Sequence, residues 1–518
     1  MVLSTSTNRR VDRIAFGSCN RQDRQNNFWP IIEARKPVAF IWGGDAIYAD
    51  YKAPTDWSSF PPTKQHICGT PARLEELYQK QLSNPGYQHL IESNVTIFGA
   101  FDDHDYGCDN GDATYAYRRE SAVAFVNFLG EPYESAMSRR ARAGAGVYGV
   151  KLFDFARPSG KTEVHEVEAG IDPDVMYLAG EIPFDTYSNQ SVAVFVLDIR
   201  SHKTPWKTGS AAYLPDYEGD FLGEQQWQWL EAALRRSQAS VNVILSGVQV
   251  HSNKFPDGNI AEAWGKYPKA QQRLFNALLQ EGVQAPVLVS GDVHMTQLSK
   301  KDCARRDSVD RHISLRPLIE MTTSGMTHSW GTVPSRPLDE PDYQSSLFVR
   351  YKAQVGSLLM HALHNLCSWK DVMTFPNSKG KDEFQYSLEK NVGELEFDWD
   401  DRTIIMRTLG EDSVPLVQAK LEMDTLSGHT STRNSFLSKK DFIEETKAMH
   451  PSIHSDWVCI NYRGRENNLA NMAGHVATGF VLVTLTPLPC IVPFFCIILA
   501  LFYRGPSRYR RQSKLLIQ

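Results

Sequence analysis

Several features are missing from this 518-residue chain, and each absence excludes something. There is no excess of basic charge. The net charge of -5 gives no support for a nucleic-acid binder, and no nucleic acid is expected as a partner. The amino terminus, Met1 to Arg10, lacks the apolar core of a secretory signal, so none is predicted. No Cys-x-x-Cys pair occurs. The eight cysteines (19, 68, 108, 303, 367, 459, 490 and 496) are too dispersed for a disulfide scaffold, and their number assigns no redox compartment. Internal repeats, low-complexity tracts and phosphate-loop spacing are also absent. The basic, glycine-rich stretch Arg139 to Gly146 therefore reads as a surface loop rather than a phosphate cradle. What remains is an ordinary folded composition, 42% hydrophobic, in a chain long enough for one large domain with appendages or two to three smaller ones.

One grammar is repeated along the first 300 or so residues. An apolar run stops at a small residue and hands over to residues that can do chemistry. Arg13 to Phe16 leads into Gly17-Ser18-Cys19-Asn20, and Val38 to Trp42 into Gly43-Gly44-Asp45. The run through Val95, Ile97 and Phe98 leads into Asp102-Asp103-His104-Asp105-Tyr106-Gly107. Val192 to Leu197 leads into Asp198-Ile199-Arg200, Val241 to Leu245 into Ser246 to Gln249, and Val287 to Val289 into Ser290-Gly291-Asp292-Val293-His294. Helical patterns separate several of these runs, near Phe28 to Ile32, over 71–92, over 113–129, and around Trp227 and Leu274. This alternation predicts an α/β fold with a largely parallel or mixed sheet. In such sheets the ligand site lies beyond the carboxyl ends of the strands, so loops opening after six strands are expected to converge. Beyond about Asp302 the grammar fades. Residues 394–410 alternate at period two, as in a half-exposed hairpin closing a sheet, and 411–472 reads as a linker or accessory layer.

The three carboxylates and imidazole of Asp102 to Asp105 follow a buried-strand pattern, where such groups need a counter-charge. A bound cation is the simplest one. Gly43-Gly44 lets the chain turn sharply and aim Asp45, which makes it the candidate to bridge two ions. Asp292 and His294 sit two apart, so on an extended strand end both point the same way. Asp103 and His104 come from a third loop.

At these residues the chain resembles the PhoD-like alkaline phosphatases, a branch of the calcineurin-like metallophosphoesterases. The resemblance is carried by Gly44-Asp45-Ala46-Ile47-Tyr48, the Asp102 to Gly107 block and Gly291-Asp292-Val293-His294, together with Ile14 to Asn20 and Phe128 to Pro132, and covers roughly residues 10–410. It implies a metallophosphoesterase-type β-sandwich flanked by helices, with metals at the strand ends and hydrolysis of phosphate mono- or diesters by metal-bound hydroxide. The wider superfamily has Asp-x-His, Gly-Asn-His and Gly-His-x-His where this chain has Ser18-Cys19-Asn20, Asp102-Asp103-His104 and Gly291-Asp292-Val293-His294. That exchange of nitrogen for thiolate and carboxylate suits iron held by Cys19 and a harder ion such as calcium held by oxygen, as described for the branch. Cys19, Asp45, Asp103, Asp292 and His294 are thus the expected metal residues, with Tyr48 a further ligand or substrate contact. His104 is the expected acid for the leaving group and Arg200 a clamp on a phosphate oxygen. The superfamily's isolated histidine ligand before the last block has no equal here; His251 reads as a loop residue. The alternative function is a binding protein that keeps the fold without turnover.

The carboxyl terminus differs in kind. No charged residue occurs from Val476 to Tyr503, a stretch that as helix would exceed the roughly 30 Å hydrocarbon core of a bilayer. Pro487, Pro489 and Pro493 leave a kinked span and a re-entrant hairpin both open. A transmembrane or re-entrant segment is therefore expected over 473–503, with a basic tail over 504–518 and the lipid bilayer as a partner. Without an amino-terminal signal, the enzyme domain is expected to face the cytosol.

Overall fold

Three of the apolar runs become neighbouring strands. Asp12–Gly17, Ala39–Gly43 and Thr96–Ala100 lie side by side in parallel, and they read as unbroken apolar stretches because both faces are covered. Val392–Asp398, Thr403–Leu409 and Pro415–Glu422 add antiparallel to complete a six-stranded sheet. The other three runs form the parallel strands Ser191–Val196, Val241–Ser246 and Pro286–Ser290 at the centre of a nine-stranded sheet. Arg316–Thr322 continues it in parallel, and Thr296–Arg305 follows antiparallel. The computed structural model describes residues 11–54, 66–156, 163–166, 188–208, 211, 214–252, 262–308, 315–366, 374–376, 382–429 and 439–460.

The period-two split of side chains makes this a layered mixed α/β structure. Val192, Val194, Val243, Leu245, Val287 and Val289 share one core with Ile14, Phe16 and Leu395 of the first sheet. Their alternates Ala193, Phe195, Ile244 and Leu288 point the other way. They pack with Leu230 and Leu234 of helix Gly223–Arg236 and with Leu274 and Leu278 of helix Pro268–Leu279. The two sheets thus face each other, and the second is capped by helices. The first sheet carries an aromatic cluster, in which Trp42 Nε1 donates to Tyr87 Oη at 3.0 Å and Trp29 packs edge-on to Trp42.

Several local expectations change. The helix expected over 71–92 is two, Pro71–Leu82 and Pro85–Glu92, because Pro85 opens the second and the Asn84 side chain caps it. The stretch expected as a surface loop at 139–146 is mostly helix, Ala136–Ala143, capped by Ser135 and ended by Gly144 at φ 77°. Arg140 is buried there, donating to the Tyr148 carbonyl with its guanidinium over the Tyr148 ring. The hairpin near 394–410 is largely buried rather than half-exposed, since Glu394 and Glu396 are paired with Arg13, Arg35 and Arg407. The first sheet also runs past residue 410, because Pro415–Glu422 is a half-exposed edge strand whose polar alternates hide its pattern.

Two disulfides occur among the cysteines, which the sequence reads as too dispersed for a disulfide scaffold. Cys68–Cys108 ties two loops at the strand ends of the first sheet, and Cys303–Cys459 ties strand Trp457–Cys459 to Thr296–Arg305. Partners 40 and 156 residues apart leave no local spacing to read. The expected membrane segment and basic tail lie outside the described residues. Among the described residues no helix is long and apolar enough to cross a membrane.

Candidate metal centre

The backbone marks the site before its side chains do. Cys19, Asp45, Asp292 and His294 have φ of 54°, 54°, 67° and 51°, in the left-handed region that residues with a Cβ seldom enter. Each such residue costs on the order of 1 kcal/mol, and four at one place are held only by surrounding structure. Asn20 N–H donates to the Asp45 carbonyl at 2.8 Å, and His294 N–H donates to Ser324 Oγ at 2.7 Å. Two glycines allow the close approach. A Cβ on Gly44, itself at φ 95°, would lie 2.3 Å from Asp102 Cβ, and one on Gly291 would lie 2.6 Å from the Gly43 carbonyl oxygen. The strand ends of the two sheets therefore meet.

Side chains aimed by these turns form two groups that share Asp45. Donor atoms of Cys19, Asp45 and His294 lie within 4.8 Å of one another, as do those of Asp45, Asp103 and His104. Asp45 Oδ2 faces the first group, 3.5 Å from Cys19 Sγ and 3.2 Å from Tyr48 Oη. Asp45 Oδ1 faces the second, 3.4 Å from the His104 backbone nitrogen. Tyr48 Oη also lies 3.4 Å from His294 Nε2. The Asp292 carbonyl is 3.7 Å from Cys19 Sγ. Asp103 accepts from the backbone N–H of His104 and of Asn110, which holds its carboxylate in place.

Electrostatics show what this arrangement lacks. Burial, followed by the charges of Asp103, Asp105 and Asp292 and against the pull of His104, pushes Asp45 well above the usual carboxylate range. Burial and then Asp45 push the Cys19 thiol up, and the same two causes raise the Tyr48 phenol. Three groups that ligate metals as anions are thus disfavoured in their charged forms by their surroundings. A cation at Asp45 would reverse each of these shifts at once, and the donor set of thiolate, phenolate, imidazole and carboxylates fits a transition metal beside a harder ion.

His104 is anchored by a residue that sequence reasoning missed. Its Nδ1 lies 2.5 Å from Asp50 Oδ1, which turns Nε2 away from Asp50. Burial opposes its charge, but Asp103, Asp45 and Asp50 together hold it well above the usual imidazole range. The other Asp50 oxygen meets His66 Nδ1 at 2.7 Å. Asp50 stands two residues past Tyr48, in the loop already singled out for Asp45, and that position was the available signal.

Arg200 does not fit the role of phosphate clamp. Its side chain is fully buried and ion-paired with Asp102 and Glu262, so its charge is committed inside the protein. His251 is a loop residue, as expected, and a buried one, with Nδ1 3.1 Å from Ser299 Oγ and its backbone N–H donating to Glu320. It lies in neither metal group. Two further residues at the site come from the loop after Arg316–Thr322, where the strand-end grammar continues once more: Ser324, 3.0 Å from Cys19 Sγ, and His328, 3.1 Å from Tyr48 Oη.

Residues 188–356 match the model of a family described as PhoD-like phosphatase. That segment holds Asp292, His294 and His328, whereas Cys19, Asp45 and Asp103 precede it. A solved structure described as "Structure of PhoD" aligns with 92% of this chain and 78% of that chain at 11% identity, with a TM-score of 0.46. Among curated proteins, none matches.

Proposed function

From a phosphoric ester hydrolase with a PhoD-like phosphatase domain as the premise, we propose that this chain is a metal-dependent hydrolase of phosphate mono- or diesters, acting at the Asp45 centre. The observation that carries this reading is the sharing of Asp45 between two groups of donor atoms, one with Cys19 and His294 and one with Asp103 and His104. Cys19, Tyr48 and His294 would hold an iron-like ion with Asp45 Oδ2, while Asp103 and Asp292 would supply oxygen to a harder ion such as calcium. Bound ions would supply positive charge for the phosphoryl oxygens and lower the pKa of water.

The remaining chemistry belongs to the chain. Asp50 holds His104 through Nδ1, which leaves Nε2 for the proton of the departing alkoxide. The carboxylates that keep His104 charged make it an acid ready to give that proton. The ring of Tyr48 stacks on His104 with centroids 4.1 Å apart, so the acid is fixed on two sides. Turnover of a chromogenic phosphate monoester and diester by the purified chain tests the reading. Hydrolysis of at least one is expected, and no turnover of either with metals supplied would contradict it.

We also propose that the 473–503 segment attaches the enzyme to a membrane, with its headgroup-bearing surface a source of phosphate esters. For orientation, the disulfides Cys68–Cys108 and Cys303–Cys459 favour an oxidising compartment for the enzyme domain, against the expectation of a cytosolic one. The basic residues Arg504, Arg508, Arg510, Arg511 and Lys514 after the apolar stretch agree with that side, because positive flanks stay cytosolic.

A further inference from the structure

His328 stands beside the centre and has no part in the reading above. Its ring lies against His294, with centroids 4.3 Å apart at 64°, and its Nε2 is 3.1 Å from Tyr48 Oη. The state of that nitrogen follows from its neighbour. Thr327 Oγ1 donates its one hydrogen to the Cys19 carbonyl at 3.3 Å and accepts the Arg21 backbone N–H at 2.9 Å. Toward His328 Nδ1, 3.1 Å away, Thr327 Oγ1 has only a lone pair to offer. With the Thr327 hydrogen on the Cys19 carbonyl, Nδ1 carries the His328 hydrogen and Nε2 turns a lone pair toward Tyr48.

This is how a metal-ligating histidine is prepared: one ring nitrogen donates to a fixed acceptor and the other is left basic and aimed. The spacing agrees. Tyr48 Oη lies 3.1 Å from His328 Nε2 and 3.4 Å from His294 Nε2. Neighbouring donors on an ion with bonds near 2.1 Å are roughly 3 Å apart.

We propose that His328 Nε2 is a ligand of the metal held by Cys19, Asp45, Tyr48 and His294, supplying a second imidazole to that position. The proposal rests on the metal-dependent reading of the site and deepens it. Two imidazoles with a thiolate and a phenolate select a transition metal there over calcium or magnesium. The anchor of the ring, Thr327, is held by Cys19 and Arg21 of the opposite sheet, so the same hydrogen bonds fix both histidine and thiolate.

Titration of the metal-free full chain with Co2+, followed by its visible absorption, tests this directly. Wild type is compared with His328→Ala and His328→Gln. Glutamine can still accept the Tyr48 hydroxyl hydrogen but is a poor substitute for imidazole. Both variants are expected to bind Co2+ more weakly by about tenfold or more and to lose part of the ligand-field band, with metal-free circular dichroism unchanged. Affinity and spectrum like wild type in His328→Ala would overturn the proposal. Restoration by His328→Gln alone would overturn it too, leaving a hydrogen bond to Tyr48. Should His328→Ala fail to fold, His328→Gln decides. Because binding is read without turnover, a wild type that binds Co2+ through His328 yet hydrolyses no ester supports the ligand and counts against the hydrolase reading alone.

Discussion

Arg200 and Asp102 are paired inside the protein, with side-chain exposures of 0% and 1%. Arg200 Nε donates to Asp102 Oδ1 at 2.6 Å, and the guanidinium also meets Glu262, which Lys203 neutralises from the other side at 3.0 Å. The network fastens the loop that carries Asp103 to the strand end of the second sheet. Removing one partner of such a pair leaves a buried charge uncompensated. Arg200→Met is expected to lower stability by about 3–5 kcal/mol in denaturant unfolding. A weakened KM with unchanged stability would instead return Arg200 to the substrate.

Asp45→Asn should remove bound metal and activity while leaving the fold intact. The substitution keeps volume, and asparagine tolerates the left-handed backbone at φ 54°. Metal analysis and thermal unfolding of the same sample check both halves. In the wild type, burial and neighbouring carboxylates favour the protonated form of Asp45, so metal and protons compete for it. Raising pH therefore favours the metal-bound state, and apparent affinity should rise with pH. Equal affinity at every pH would show that no such competition occurs.

The strand-end grammar made much of this site legible. Cys19, Asp45, Asp103, His104 and His294 all open loops after apolar runs and fall in the two groups that share Asp45, while Asp292 opens the same loop as His294 but lies in neither group. What failed was information about partners. Arg200 occupies the right end of its strand, but only the fold shows that Asp102 and Glu262 claim its charge. The disulfides join residues with no local spacing, and Arg140 looked like a surface residue until its packing against Tyr148 was seen. His328 lay beyond the point where the pattern was thought to stop. Its strand ends Glu320-Met321-Thr322, more polar than the other six, and that masked the repeat.

His104→Asn should slow hydrolysis of alkyl phosphates more than of nitrophenyl phosphates, whose leaving groups need less help from a proton. Asp50→Asn should shift the same ratio in the same direction with a smaller loss, since it acts on His104 through one hydrogen bond. Kinetics on the two substrate classes decide it. Equal losses on both would make His104 a ligand or a binding residue.

The proposed attachment to a membrane has its own readout. On the proposed orientation, protease added to sealed vesicles should spare the enzyme domain until detergent is present, since the disulfides favour an oxidising compartment. Asn94 and Asn189, each in a glycosylation sequon and exposed, would then be able to carry glycans. Digestion of the domain in intact vesicles would put it in the cytosol.

The central claim is that hydrolysis depends on ions held around Asp45. The direct measurement follows phosphate-ester turnover as metals are stripped from the purified full chain and then restored, with bound metal counted in each sample. Activity should vanish with the metal and return in proportion to it, and Asp45→Asn should recover neither. Turnover that persists in fully stripped protein would contradict the account.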